Sequence, residues 1–305
     1  MTEKVRNKLV EICDATGSRV AFDEDLSTHS TISVGGKAKA WFVPSSLEAL
    51  REAVLFLCDS GTSSIVVGNG SNVLMPDNGL EVAINLDNGF FVKKEFEDRK
   101  VLAGAGVDLG GLISDCCLRG LSGLEGLVGI PATVGGALAT NASYKTAISD
   151  CLESVRVMNK EGNARWVKKD GIRFGYRSSS FKNGEVIVEA VFNLVEMSPD
   201  QLKQALKANF CDKKHKQPLG VKTLGCIFKN PEGSERKAGE LIELAGMKGA
   251  SVGDAQVSQM HANFIVNSGN ATARDVIVLI EEVRQQVFEK FSIALELEIE
   301  ILDTR

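Results

Sequence analysis

Ser64-Ile65-Val66-Val67-Gly68-Asn69-Gly70-Ser71-Asn72-Val73 is the stretch that decides how this chain is read. Its β-branched start reads as a short strand. The glycines that follow let consecutive backbone N–H groups turn inward on an anion. Asn69, Ser71 and Asn72 add further hydrogen-bonding groups, so the segment has the outline of a pyrophosphate cradle at a strand end. It does not match the doubly wound dinucleotide fingerprint, which needs a third glycine where Val73 stands and a helix directly afterwards. Met75-Pro76-Asp77-Asn78-Gly79 follows instead, and that is turn chemistry. Gly-Asn-Gly alone also suits a hairpin or a surface turn. A second cluster, Gly129-Ile130-Pro131-Ala132-Thr133-Val134-Gly135-Gly136, shifts the balance. Its proline fixes the entry and its glycine pair permits close approach of a flat ligand, so the two clusters together suggest a bound dinucleotide.

A chain of 305 residues has room for two or three domains and a large core. Its 44% hydrophobic and 25% charged residues are ordinary for a soluble globular protein. The net charge of −5 argues against a general nucleic-acid or acidic-membrane binder, while leaving room for a local basic pocket. No apolar run reaches spanning length, and Met1-Thr2-Glu3-Lys4-Val5-Arg6 lacks the apolar core of a signal peptide. Cysteines at 13, 58, 116, 117, 151, 211 and 226 are odd in number and show no Cys-x-x-Cys spacing, which fits reduced thiols in a cytoplasm. Histidines at 29, 215 and 261 are scattered and form no metal-binding motif.

Pattern and capping predict helices over residues 3–16, from Ser45 or Ser46 through Cys58, from Asp108 to Arg119, from Pro199 to Lys214, over 238–245 and over 272–290. Strands are predicted near 64–67, 80–86, 90–95, 100–104, 185–196, 226–229, 263–266 and 295–302, with a hairpin across 152–168. Strands cluster with helices between them rather than alternating strictly, which argues for an α+β architecture. The Pro-Leu-Gly break at 218–220 divides a cofactor part, 1–198 in two lobes of about 1–95 and 96–198, from a second domain over 215–305. A ligand site at the join is the default expectation.

Four segments carry candidate chemistry. Arg173-Phe174-Gly175-Tyr176-Arg177-Ser178 offers two guanidinium groups, and arginine clamps a carboxylate with two parallel hydrogen bonds. A surface arginine is the plainer alternative. Leu224-Gly225-Cys226-Ile227 sets a thiol beside a glycine. A free thiol titrates near about 8.5 and is mostly protonated at neutrality, so Cys226 suits a proton donor; a packing cysteine is the alternative. His261 and Asn263 precede a strand, where a histidine satisfied by backbone groups is the simpler reading. In the C-terminal segment, Leu295, Leu297, Ile299 and Ile301 alternate with Glu296, Glu298 and Glu300. Alternation alone predicts three equivalent carboxylates on a solvated face.

Taken in order, these motifs resemble the UDP-N-acetylenolpyruvoylglucosamine reductase family. The matching segments are Thr31 to Gly36, Gly68 to Asn72, Gly123 to Gly136, Tyr176-Arg177-Ser178, Lys216-Gln217-Pro218, Gly225 to Pro231 and His261 to Asn267, so the likeness runs from about residue 28 to the end. The resemblance implies a two-lobed FAD-binding domain of the vanillyl-alcohol-oxidase type followed by an α+β substrate domain. It also implies reduction of a UDP-sugar enolpyruvyl ether with NADPH for peptidoglycan synthesis. By position, Gly68, Asn69, Gly70, Ser71 and Asn72 would hold the FAD pyrophosphate. Gly129, Ile130, Pro131, Thr133, Gly135, Gly136 and Ala137 would line the flavin. Arg177, with Tyr176 beside it, matches the family arginine for the substrate carboxylate. Cys226 matches the proton donor, Glu298 the C-terminal glutamate, and Asn230 a residue near the UDP phosphates. With only Tyr144 and Tyr176 as tyrosines, the chain resembles the subfamily without an extra tyrosine-bearing loop. No protein partner, nucleic acid or membrane is implied. One departure stands out: the family continues Asn-Ala-Gly, and this chain reads Asn141-Ala142-Ser143-Tyr144-Lys145-Thr146. Serine takes positive φ less freely than glycine, so a local backbone difference is expected there. It also leaves open an FAD-dependent paralogue acting on another small metabolite.

Overall fold

The computed structural model describes residues 1–181 and 184–302. The chain gathers into two compact units. The first comprises Met1–Glu24, Lys39–Asn69 and Glu81–Asp212; the second comprises Asp25–Ala38, Gly70–Leu80 and Lys213–Arg305.

In the first unit, helix α1 (Glu3–Thr16) begins where the Thr2 hydroxyl accepts the Val5 N–H and ends at Gly17 with φ 72°. Its stripe of Val5, Leu9 and Ile12 is buried, and it packs against α2 (Leu47–Asp59). Ser46 caps α2 by accepting the Ala49 N–H. Ser45 instead donates to the Thr16 carbonyl at 2.7 Å and so ties the start of α2 to the end of α1. A four-stranded sheet runs in the order Arg19–Asp25, Lys37–Val43, Leu80–Ile84, Ser64–Val66, with the last two strands parallel. A five-stranded antiparallel sheet runs Ala164–Lys168, Leu152–Met158, Val186–Asn193, Lys100–Gly104, Lys94–Glu97. Helices α3 (Leu109–Leu118) and α4 (Val134–Ala139) complete this unit around one apolar core that includes Phe42, Phe91 and Phe192. Asp108 caps α3 through a 2.7 Å bond from the Gly111 N–H.

Helix α5 (Pro199–Lys216) carries the chain towards the second unit, with Lys213, Lys214, His215 and Lys216 at the negative end of its dipole. The second unit holds an antiparallel sheet ordered Thr223–Cys226, Phe264–Asn267, Ala255–Val257, Ser251–Val252. Helices α6 (Ala238–Leu244) and α7 (Ala273–Phe291) pack here over a separate apolar core. Thr272 and Asp275 form a reciprocal cap on α7, and the Asp77 carboxylate accepts the Ala273 and Arg274 N–H groups at 2.8 and 3.0 Å. That carboxylate ties the turn after the first glycine cluster to the start of the longest helix.

Three element expectations are corrected. Residues 90–95 are not a strand: Gly89–Val92 form a 3₁₀ turn that buries Phe91, and the strand starts at Lys94. The turn is held because the Phe90 N–H bonds the Ser45 carbonyl and the Phe91 carbonyl accepts the Gly106 N–H. The strand expected at 226–229 is Thr223–Cys226, so Cys226 closes it rather than opening it. The C-terminal segment is a strand only at Glu300–Ile301. Residues 296–298 bond residues 227–229, and residues 300–302 then bond 72–74. The change of partner interrupts the ladder that hydrophobic alternation alone predicts as continuous.

Candidate active site

The first grouping joins the two glycine clusters. A Cβ on Gly68 would lie 2.5 Å from the Thr133 hydroxyl, so glycine is what lets the strand-end loop reach the second cluster. Thr133 caps α4 by accepting the Gly136 N–H at 3.2 Å. Gly135 donates to the Ala105 carbonyl at 2.8 Å, and a Cβ there would press on Ala105. The Asn85 amide donates to the Val67 carbonyl at 2.9 Å and the Gly68 carbonyl at 3.3 Å, which fixes the loop from behind. The backbone N–H groups of Gly68 to Asn72 donate to no protein acceptor among the described residues. A run of N–H groups at a strand end with its carbonyls tethered is a donor set suited to a pyrophosphate.

The second grouping surrounds Arg177. Phe174–Gly175 and Ser178–Ser179 pair antiparallel, leaving Tyr176 and Arg177 as the two central residues of a tight turn. Arg177 has φ 53°, a left-handed conformation that costs a non-glycine residue about 1–2 kcal/mol. Tyr176 is 54% exposed. The Arg177 Nη1 donates to the Ser143 carbonyl at 2.7 Å and to the Ser143 hydroxyl at 3.1 Å. The positive φ expected to trouble Ser143 falls on Asn141 at 47°, and its amide donates to the Gly175 carbonyl at 2.9 Å. Tyr144 donates to Asp212 at 3.0 Å. Burial, followed by that bond to a carboxylate, pushes the Tyr144 phenol up to about 12.

The third grouping, in the second unit, holds Cys226, Asn230 and Glu298. The pairing of Thr223–Cys226 with Phe264–Asn267 slips between Thr223 and Cys226, where Gly225 has φ 82°. Such a bulge re-aims the next side chain, and a Cβ on Gly225 would meet nothing within 4 Å. Cys226 is half-buried beside that open space. Burial pushes the Cys116 and Cys151 thiols up to about 12. None of the seven cysteines forms a disulfide.

Glu298 is placed from both sides. Its N–H bonds the Ile227 carbonyl at 2.8 Å, and its carbonyl accepts from the Asn72 amide at 3.2 Å. It is half-buried, whereas the Glu296 side chain is 80% exposed, so the three carboxylates of the alternating pattern are not equivalent. Asn263, 4% exposed, accepts the Phe228 N–H at 2.9 Å and donates to the Phe228 carbonyl at 2.8 Å, which locks the segment after Cys226. The Asn230 side-chain oxygen accepts the Ala238 N–H at 3.1 Å, fixing that side chain at the start of α6. His261 accepts the Asn263 N–H on Nδ1 at 3.2 Å, and burial holds its pKa below the ordinary value. It is satisfied by backbone, as a structural histidine is.

A family model described as the UDP-N-acetylenolpyruvoylglucosamine reductase C-terminal domain matches residues 217–302, and one described as an FAD binding domain matches residues 38–168. The UDP-N-acetylenolpyruvoylglucosamine reductase of Halalkalibacterium halodurans is 37% identical over 289 residues, covering 94% of this chain and 95% of that protein. The chain belongs to the UDP-N-acetylenolpyruvoylglucosamine reductase family. The crystal structure of the family member from Thermus caldophilus superposes with a TM-score of 0.80 at 34% identity, covering 94% of this chain and 99% of that one. A glucose dehydrogenase, Phl p 4.0202, shares the fold alone, with a TM-score of 0.51 at 13% identity over 65% of this chain and 45% of its own. The fold is therefore α+β, an FAD-binding domain with the family's C-terminal domain. FAD is the cofactor of this family's fold, and the loop of N–H donors at 68–72 fits its pyrophosphate. Among the described residues no helix is long and apolar enough to cross a membrane.

Sequence reasoning did not single out Asn85 or the Ser143 hydroxyl as supports. Asn85 follows a strand and looks like any strand-end asparagine. Ser143 was visible only as a departure from pattern, and its contact with Arg177 spans 34 residues of chain.

Proposed function

We propose that the chain reduces the enolpyruvyl ether of UDP-N-acetylglucosamine to UDP-N-acetylmuramate with NADPH, a step in peptidoglycan precursor synthesis within the cytoplasm. Bound FAD would supply the hydride chemistry between NADPH and the terminal methylene carbon of the substrate. Gly68 to Asn72 would hold the pyrophosphate through backbone N–H groups, and Gly129, Ile130, Pro131, Thr133, Gly135, Gly136 and Ala137 would line the ring system. As hydride arrives, negative charge moves from the double bond towards the substrate carboxylate. The Arg177 guanidinium binds that carboxylate and stabilises the growing charge. The Cys226 Sγ–H gives its proton to the neighbouring carbon, and the resulting thiolate is reprotonated from solvent. Glu298, held next to the Cys226 segment by backbone bonds, orients that proton transfer. Asn230 stands with its side chain fixed for the UDP phosphates. The FAD-binding part covers 1–198 and the substrate domain 215–305.

The observation that carries this reading is the 37% identity to the Halalkalibacterium relative over 94% of the chain, joined to the bulge that sets Cys226 next to a glycine with open space about it. The test is turnover with NADPH and the enolpyruvyl nucleotide sugar, followed by mass spectrometry. The expected product has gained two hydrogens. NADPH oxidation that is indifferent to this substrate would instead favour the paralogue acting on another metabolite.

A further inference from the structure

Ser143 holds the arginine on which the proposed function depends. We propose that Ser143 is a positioning residue: its carbonyl and its hydroxyl together fix the Arg177 guanidinium in the orientation that receives a substrate carboxylate. The inference rests on the reading of Arg177 as the carboxylate-binding group.

Arg177 projects from a two-residue turn, where its guanidinium lies 5.9 Å from the ring centroid of the exposed Tyr176. An arginine side chain is rich in rotamers, and a guanidinium that must be ordered on binding loses affinity for that reason. Both acceptors from Ser143 engage Nη1, at 2.7 and 3.1 Å. One contact sets the reach of the side chain; the second sets the rotation of the guanidinium plane. Both contacts from Ser143 fall on Nη1, and the Arg177 Nε is buried.

The anchor is itself anchored. Ser143 bridges Ala147. The Tyr144 hydroxyl and the Lys145 ammonium both reach Asp212, at 3.0 and 2.8 Å, and the Lys145 N–H bonds the Gly126 carbonyl at 3.2 Å. On the other side, Asn141 bonds Gly175, and the Ser179 hydroxyl donates to the Ala139 carbonyl at 2.6 Å. Segments 139–143 and 175–179 are laced by these bonds, so removing one hydroxyl leaves the turn in place. A glycine at 143 would offer only the carbonyl.

The test is calorimetric binding of two nucleotide sugars to the FAD-loaded, oxidised protein. UDP-N-acetylmuramate carries the carboxylate; UDP-N-acetylglucosamine lacks it. Ser143→Ala should weaken the first about tenfold, the size of one hydrogen bond to a charged group. It should leave the second within about twofold, and Ser143→Thr should restore most of the loss. Unchanged binding of both ligands, or equal weakening of both, would overturn the proposal. Arg177→Gln separates the two layers. If that variant still prefers the muramate, the reading of Arg177 fails; if it loses the preference while Ser143→Ala keeps it, only the role of Ser143 fails.

Discussion

Cys226 is set apart by the bulge and the glycine beside it. Burial pushes the Cys116 and Cys151 thiols up to about 12, so both stay protonated at neutral pH. Cys226 is half-buried next to a glycine with open space above it. A proton donor needs a transferable hydrogen and access, and a serine hydroxyl also supplies both. Cys226→Ser should therefore keep substrate-driven flavin reoxidation within about tenfold, and Cys226→Ala should lose about 10²–10⁴-fold, the range of general acid catalysis. Stopped-flow measurement of each half-reaction checks this. Equal damage to NADPH-driven reduction in the alanine variant would reject the assignment. His261 makes a different statement at the same scale. Its folded pKa is depressed by burial, so the unfolded chain binds a proton more readily than the folded one. Stability is then full above the unfolded value of about 6.5 and falls as the pH drops below it, levelling off under the folded pKa. Urea unfolding between pH 7.5 and 5.5 should show a smaller loss in His261→Gln than in the unsubstituted chain.

At the scale of elements, the bulge at Gly225 links backbone geometry to chemistry. Nothing lies within 4 Å of a Cβ built there, so Gly225→Ala meets no steric block, yet φ 82° strains any residue with a side chain. The substitution should cost about 1 kcal/mol of stability, read by urea unfolding. It should leave FAD stoichiometry unchanged and slow the second half-reaction by re-aiming Cys226. Lost FAD with an intact rate per flavin would contradict that link. Most helices were legible because caps and apolar stripes are local: Thr2, Asp108 and Thr272 each start a helix as their residue types foretell. The strands that were misplaced, at 90–95, 226–229 and 295–302, are those whose limits depend on a distant partner. Alternation marks which face a residue takes, and says nothing of where a partner stops. For the same reason Glu298 was indistinguishable from Glu296 in the sequence, and only Asn72 and Ile227, brought in by the fold, set it apart.

At the scale of the whole molecule, segments far apart in sequence assemble each unit. The second unit takes in Asp25–Ala38 and Gly70–Leu80 besides its C-terminal part, and Asn267 fastens one of these by donating to the Ile32 carbonyl at 3.0 Å. The order of motifs along the chain was enough to indicate the family, while these returns of the chain leave no local mark. The central claim is an NADPH-driven, FAD-dependent reduction of an enolpyruvyl ether, and the most direct measurement is the flavin absorbance of the purified protein under anaerobic conditions. The account predicts a yellow protein that bleaches with NADPH and regains its colour on adding the enolpyruvyl nucleotide sugar. A bleached protein that stays colourless with that substrate, and recovers only with oxygen, would contradict it.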